Sequence, residues 1–560
     1  MKQRNITSIW KAFLIGATMI VPGVSGGTMA MILGIYDRLL SAVSSFRKHP
    51  GDNFLFLTMF AVSAGLGLFL FSTPVSWLLE HYEVPVLYFF IGAVAGGIPL
   101  IERKSGIKRV DITTIFCLLA GAVIVLLALI VGGAVLYSMN YTVPQQAEKI
   151  ENTTGLVQAS GRSLYDAQGN RLHLTGINAG QILLQEGWMS PFALEPKKNP
   201  DGSFVTDADG NLQYPEFSEE DFRAGLKHNP NLTGYDLEEL LQYYYDCSFT
   251  EEDFRIIKED LQLNTVRLPF YYLNILNEDL TLKDEDEAFA YLDWFIGEAA
   301  KQELYIVLDL HGTPGSQNGY EHSGAAERVA GLWESEENKA ATVALWDLIS
   351  HHYTVTRPDL GAWIATYDLM NEPTYRYKSG TTKQCWDFFD TLYDTIRENG
   401  DEHVITMEGC WDFASLPDPD KYGWENVQYE YHWYNWWPDK IPYPLFYAYQ
   451  DLSNIGRNYD VPMLIGEFTL FEDKEAWNNG LNLFDQRGYS WTIWNYKTTV
   501  TGWWTSSWGV YTCQLNLTDT PKCNVSTCTY EEFIAACETM RTENCATGTL
   551  YDVLKDYSDQ

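Results

Sequence analysis

Two glutamates stand where side chains could do chemistry: Glu372, after Asn371 in DLMNEP, and Glu467, in LIGEF. Each follows a short apolar run of the kind that forms a buried strand, so each carboxyl is expected at a strand end. Two carboxyls facing each other across one cleft suit cleavage of a glycosidic bond. One protonates the leaving oxygen while the other attacks the anomeric carbon. Asn178, Arg267, His311, Glu408, His432, Tyr434 and Trp494 hold the same kind of position and offer hydrogen bonds, a fixed positive charge and a stacking surface. Glu408 is expected to serve structure first. His311 and His432, taken alone, read as hydrogen-bonded core histidines.

Holding these groups at one mouth requires a particular frame. GRSLYDAQGNRLHLTGIN reads as a hairpin, turning at Asp166, Gly169 and Asn170, that leads to an apolar strand from Leu172 to Ile177. NTVRLP, LYIVLDLHG, WIATYDLMNEP, HVITMEG, VQYEYHWY, PMLIGEF and SWTIWNYK follow, separated by helical segments, and bring the strands to eight. Eight buried parallel strands with intervening helices predict an α/β fold, a (β/α)8 TIM barrel over residues 155–560, whose chemistry gathers at the carboxyl ends of the strands. A doubly wound open sheet is the alternative, but no Gly-rich phosphate fingerprint follows the first strand. No cofactor is called for. No metal is expected either, since there is no CxxC pair and no His beyond His432.

The ordered set LDLHGTPGSQNG, DLMNEP, YHWY, LIGEF and WTIWNYK resembles family 5 glycoside hydrolases, the old cellulase family A, from about Gly155 to the C-terminus. The resemblance implies that Glu372 is the acid/base and Glu467 the nucleophile of a retaining mechanism. It further implies that Arg267 and His311 organise the site, Asn371 binds the sugar 2-hydroxyl, His432 and Tyr434 adjust the two carboxylates, and Trp494 lies under the sugar. GTPGSQNG resembles exo-β-1,3-glucanase-like members, which points to β-glucan or a related polysaccharide as substrate. Glu467 must be ionised to attack, which Arg267 and Tyr434 would favour. Glu372 must hold a proton near neutral pH, which burial and a neighbouring carboxylate would favour. Trp433, Trp436, Trp437, Trp503, Trp504 and Trp508 exceed what a core needs, and some of them are expected to line a sugar cleft.

Pro191 to Thr250 is long for a βα loop and is read as an insertion with its own hairpin, DGSFVTDADGNLQYPE. Asp207, Asp209 and Asn211 within it form a turn more readily than a calcium site, because the full ligand pattern is absent. Eight of the nine cysteines follow Tyr137, five of them between Cys513 and Cys545, as a disulfide-bearing exported domain would have, with the pairing open.

The first 140 residues differ in kind. Up to Asn140 there are ten Lys/Arg and six Asp/Glu, against 28 and 68 in the remainder. The strongly acidic remainder argues against a nucleic-acid partner. Four uncharged apolar stretches, Ala12 to Tyr36, Phe54 to Phe71, Val84 to Ile101 and Ile112 to Tyr137, predict an N-terminal α-helical transmembrane region. Pro22, Gly23, Gly26 and Gly27 break the first into a re-entrant hairpin, leaving three spans. Basic residues at Lys2, Arg4, Lys11, Arg38, Arg47 and Lys48, and again at Arg103, Lys104, Lys108 and Arg109, place those flanks in the cytoplasm. Residues 141–154 are then a linker, and the barrel lies outside the cell on a multi-pass membrane anchor, with the lipid bilayer as a partner. PGVSGGTMAMILGIYDRL, Pro22 to Leu39, resembles the bacterial polyprenyl-phosphate translocase family. The second PG(V/I)SG-type segment of that family is not found here, which favours an anchor. The competing reading is a lipid-transporter fragment fused to a carbohydrate-binding module; retention of both Glu372 and Glu467 argues for a glycosidase.

Overall fold

The computed structural model describes residues 10–13, 15, 30, 33–46, 53–54, 56–64, 145–206, 212–325, 329–373, 381–409, 416–436, 443, 446–447, 450, 459–471, 473–499, 508–513 and 522–558. The chain divides into two compact units, Met1–Leu129 and Ile130–Gln560. The first contains the helix Tyr36–Ser44. Among the described residues no helix is long and apolar enough to cross a membrane. The expected spans Val84 to Ile101 and Ile112 to Tyr137 lie wholly outside those residues, and the other two stretches lie partly outside them.

The second unit is built on a closed barrel of eight parallel strands: β1 (Thr175–Asn178), β2 (Thr265–Tyr271), β3 (Tyr305–Gly312), β4 (Ile364–Asp368), β5 (Val404–Glu408), β6 (Val427–Tyr434), β7 (Met463–Thr469) and β8 (Ser490–Ile493). Neighbours follow chain order and β8 closes on β1. All eight expected strands are present, with one shift: Arg171–Leu172 belongs to the preceding hairpin sheet, and β1 begins at Thr175. That hairpin turns where Asp166 Oδ1 accepts from the Gln168 and Asn170 amides and Gly169 adopts φ 78°. The region expected as a linker also joins it, since Lys149 pairs with Asn170 and the Ile150 amide donates to Gly169 O at 2.8 Å.

Helices cover the barrel because their apolar residues recur on one face. In Glu285–Lys301 the buried set includes Ala288, Phe289, Leu292, Phe295, Ile296 and Ala299, spaced three and four apart. Asp284 caps its start through the Asp286 amide. The expected insertion contributes two helices, Glu219–His228 and Leu237–Ser248, and a short strand, Phe192–Ala193, which pairs with Cys523–Asn524. Its hairpin is bridged at Lys198 with Phe204 and at Thr206 with Leu212, while Asp207, Asp209 and Asn211 lie outside the described residues. A disulfide, Cys513–Cys545, ties the two flanks of the C-terminal part. Cys247, Cys523, Cys528 and Cys537 are free thiols, Cys385 is buried, and Cys117 and Cys410 fall outside the described residues.

Leu174, Val307, Val404 and Leu464 pack together toward the amino ends of the strands, and beyond them the barrel interior is polar where further aliphatic layers are usual. Thr366 and Thr406 share a 2.6 Å hydroxyl contact, and Thr406 donates to Gln428 at 3.2 Å. Above them, toward the carboxyl ends, Arg267, Asp309, Asp368 and Glu430 have no exposure at all. Gly466 makes room for this layer: a Cβ there would lie 1.4 Å from Glu430 Oε1.

Candidate active site

Register decides which side chains meet. Asn178 on β1 stands beside Arg267 on β2, and a bulge at Tyr431/His432 sets His432 beside Glu467 on β7. The Arg267 guanidinium is the hub. Its Nη1 donates to Asn178 Oδ1 and Glu467 Oε1, both at 3.0 Å, and lies 3.1 Å from Asp309 Oδ2. Nη2 donates to Asp368 Oδ2 at 2.7 Å and Asn371 Oδ1 at 2.9 Å, and Nε lies 3.3 Å from Glu430 Oε1. Because Arg267 takes its Oδ1, Asn371 offers the cavity an amide N–H donor.

Glu467 is gripped from both sides, with Arg267 on Oε1 and the Tyr434 hydroxyl donating to Oε2 at 2.8 Å. Glu372 lies just past β4 with φ 41°, in the left-handed region that a glutamate seldom adopts, and its amide donates to Glu408 Oε2. Its Oε1 is 2.8 Å from His432 Nδ1 and its Oε2 is 3.1 Å from His322 Nε2. Glu372, His432 and Glu467 bring one polar atom each within 4.8 Å of one another. Glu408, Glu430 and His432 do the same. Both triads are close enough to surround an ion, but Arg267 and the imidazoles already supply positive charge at these oxygens.

His311 Nδ1 is 2.6 Å from Asp309 Oδ2, and its ring stacks on Trp494 with centroids 5.4 Å apart. All ten residues singled out from the sequence are thus brought to one mouth. They border a cavity of about 560 Å³, except that Arg267 and its partner Asn178 do not line it. Trp188, Trp436 and Trp508 form an aromatic wall with Tyr434; Trp188 and Trp508 have centroids 5.0 Å apart. Trp433 does not join them, because alternation along β6 turns it outward against Phe484. Trp437, Trp503 and Trp504 lie outside the described residues.

Several groups escaped the sequence reading. Asp309 and Glu430 stand two residues before His311 and His432, so strand period alone places them on the same inward face. Asp368 is the last residue of β4. Glu186 and His322 come from the loops after β1 and β3, where no periodicity marks them, and both line the cavity.

Charge balance in this buried cluster fixes where protons sit. Burial pushes Asp309 and Glu408 up. Burial and the adjacent Glu430 carry Asp368 to about 7 against the pull of Arg267, and burial carries Glu186 to about 8. Burial opposes a charged imidazole at His322, yet Glu372, Glu186 and Glu321 outweigh it and raise the ring to about 9. His432 is likewise raised well above its ordinary range, against burial, by Glu408, Glu467 and Glu372. Burial also opposes ionisation of Glu372, but hydrogen bonds from His322 and His432 prevail and hold its carboxyl well below the usual range. This corrects the expectation that burial and a neighbouring carboxylate keep Glu372 protonated in the free site: two imidazoles neutralise it instead.

These shifts have a consequence for stability. A histidine raised on folding stabilises below its unfolded value of 6.5 and loses that contribution as pH climbs to about 9. Buried Asp368 and Glu186 keep protons that the unfolded chain releases, so they too lose stability as pH rises, up to about 7 and about 8. Glu372 contributes in the opposite sense, but its loss falls in acid, below the unfolded value of 4.5. The melting temperature should therefore decline between pH 6.5 and 9; calorimetry showing a flat or rising Tm across that window would contradict the charge assignment.

The family model described as cellulase, glycosyl hydrolase family 5, matches residues 220–499, half of the chain. Residues 15–143 match the model described as undecaprenyl phosphate translocase-like. A β-xylosidase of Phanerodontia chrysosporium is 31% identical over 284 residues, covering 50% of this chain and 52% of that protein. A glucan 1,3-β-glucosidase of Schwanniomyces occidentalis is 26% identical over 282 residues, covering 48% and 58% respectively. The chain thus spans somewhat over half the length of these curated relatives. The solved rutinosidase of Aspergillus niger is 15% identical, with a TM-score of 0.45, covering 60% of this chain and 95% of its own. With the matched half of the chain carrying both glutamates, Arg267, His311 and Trp494, the protein belongs to glycosyl hydrolase family 5.

Proposed function

We propose that the barrel hydrolyses β-linked glucan, or a closely related polysaccharide, with retention of configuration. In this reading Glu467 is the nucleophile and Glu372 the acid/base. The observation that carries the reading is the approach of one Glu372 oxygen and one Glu467 oxygen to within 4.8 Å at the edge of the cavity. Retention uses carboxyls roughly 5 to 5.5 Å apart, whereas inversion needs roughly 6.5 to 9.5 Å to admit a water. The Arg267 and Tyr434 contacts suit an ionised nucleophile, and His311 stacked on Trp494 leaves an indole face to carry a sugar ring. Relatives named glucan 1,3-β-glucosidase and β-xylosidase support a β-linked sugar as substrate.

We further propose that the residues up to Asn140 anchor the chain in a membrane with the barrel on the outer face. The uncharged stretches, the basic loops and the match to a translocase-like family support this placement. One experiment covers both parts. Washed, intact cells making the full chain should release sugar from an added β-glucan in preference to xylan or mannan, and the fresh product should carry the β-anomer by NMR. Hydrolysis only after lysis would overturn the surface placement, fresh α-anomer would overturn retention, and failure to cleave any of the polysaccharides would overturn the glycosidase reading.

A further inference from the structure

His322 Nε2 faces two groups of opposite demand. Glu372 Oε2 lies 3.1 Å away and Asn318 Nδ2 lies 2.9 Å away. The Asn318 amide cannot turn over. Its Oδ1 accepts from the Tyr320 amide at 2.9 Å, and its Nδ2 donates to the Glu372 carbonyl at 3.2 Å. The His322 ring is itself held flat against Tyr320, with centroids 5.4 Å apart and planes 7° from parallel. A single proton therefore fits between Nε2 and Oε2 in two ways. As an imidazolium N–H it bonds to the carboxylate but meets the Asn318 donor. As a carboxyl O–H it bonds to a bare Nε2, whose single lone pair is then shared with the Asn318 donor instead of an N–H opposing it.

The first arrangement is an ion pair and the second is neutral. Among the described residues the ring also faces Glu321 beside it and Glu186 from the loop after β1, whose carboxyl burial carries to about 8, with the His311 ring 6.5 Å away. In the solvent-open cavity Glu321 and water favour the ion pair, and Glu186 adds to this only once it loses its own proton, near pH 8. A sugar that expels the water makes separated charges costlier and favours the neutral pair.

We propose that His322 is a positioning residue that stores the acid proton of Glu372, releasing it to Oε2 when substrate fills the cavity. The proposal rests on the assignment of Glu372 as acid/base. In the first step the proton passes from Nε2 to Oε2 and then to the leaving oxygen as the glycosidic bond breaks and the bond to Glu467 forms. In the second, Glu372 takes a proton from the attacking water, whose oxygen displaces Glu467, and returns it to His322. Protons balance over the cycle, and the same ion pair is restored.

The test uses the full chain and two aryl β-glucosides, one with a good leaving group and one with a poor one. His322→Asn can still donate to Oε2 but cannot carry the proton. It should lower kcat/KM on the poor leaving group about 10- to 100-fold and change the good one less than about 3-fold. The alkaline limb of its pH profile should move to lower pH. Equal losses on both substrates with an unmoved limb would overturn the proposal. Glu372→Gln serves as the control for the underlying reading: if it shows no leaving-group dependence, the acid/base assignment itself fails. Should His322→Asn not fold, NMR of wild-type protein carrying ¹⁵N-histidine decides. His322 should be charged at pH 7 in the free protein and neutral when glucono-1,5-lactone saturates the site; the same protonation state in both would overturn the proposal.

Discussion

Replacing Glu467 with Ala or Gly should abolish turnover of the natural substrate, lowering kcat on the order of 10⁴-fold or more, because the lost group acts at the transition state and does not merely bind. No glycosyl-enzyme can form, yet the vacated space lies between the Arg267 guanidinium and the Tyr434 hydroxyl, two donors suited to a small anion. Added azide should enter there and attack the anomeric carbon of an activated β-glycoside directly, giving the α-glycosyl azide. Replacing Glu372 should produce the opposite stereochemistry. Glu467 remains to displace an activated aryl leaving group that needs no proton, the intermediate accumulates without a base to activate water, and azide intercepts it as the β-glycosyl azide. Loss on an unactivated substrate should again span several orders of magnitude. NMR of the azide products decides the matter: the same anomer from both variants, or rescue of neither, would remove the role assignment. Both variants should fold, since Arg267 retains Asp309, Asp368 and Glu430 as partners.

What could be read from residues alone follows a physical division. Glu372, Glu467, His311 and His432 were legible because each closes an apolar run, and a barrel sends every such end to the same mouth. Asp309 and Glu430 lie in the same runs but carry no comparable signal. A charge inside a buried strand makes sense only once its partner is known, and their partner, Arg267, lies on another strand far away in sequence. His322 and Glu186 carry no periodic signal, because a loop's path is set by what it packs against. Trp433 and Trp436 look alike in the sequence. Strand alternation sends Trp433 into the core, while Trp436, one residue beyond Asn435, stands 54% exposed at the cavity edge. The protonation of Glu372 follows the same division: burial can be read from its strand-end position, whereas the second imidazole, His322, comes from a loop.

Arg267→Met should be the most destabilising single change at this site. The guanidinium has no exposure and is the shared cation of Asp309, Asp368, Glu430 and Glu467. Removing one member of a buried charge network leaves the rest uncompensated, at a cost of about 3 to 5 kcal/mol. Four carboxyls share the loss here, so the upper end is expected. Arg267→Lys should recover only part of it, because one ammonium cannot span the fork of contacts to Asn178, Asp368 and Asn371. The direction with pH distinguishes an electrostatic origin from poor packing. Without the cation the folded carboxyls bind protons more tightly than the unfolded chain does, so lowering pH toward 5 should narrow the gap between variant and wild type. Adding Asp368→Asn should restore some stability to Arg267→Met, whereas the same substitution alone should weaken the wild type. Chemical denaturation at pH 5 and pH 8 measures each quantity. A variant as stable as the wild type, or a deficit that does not change between the two pH values, would show that Arg267 is not the charge on which this site is built.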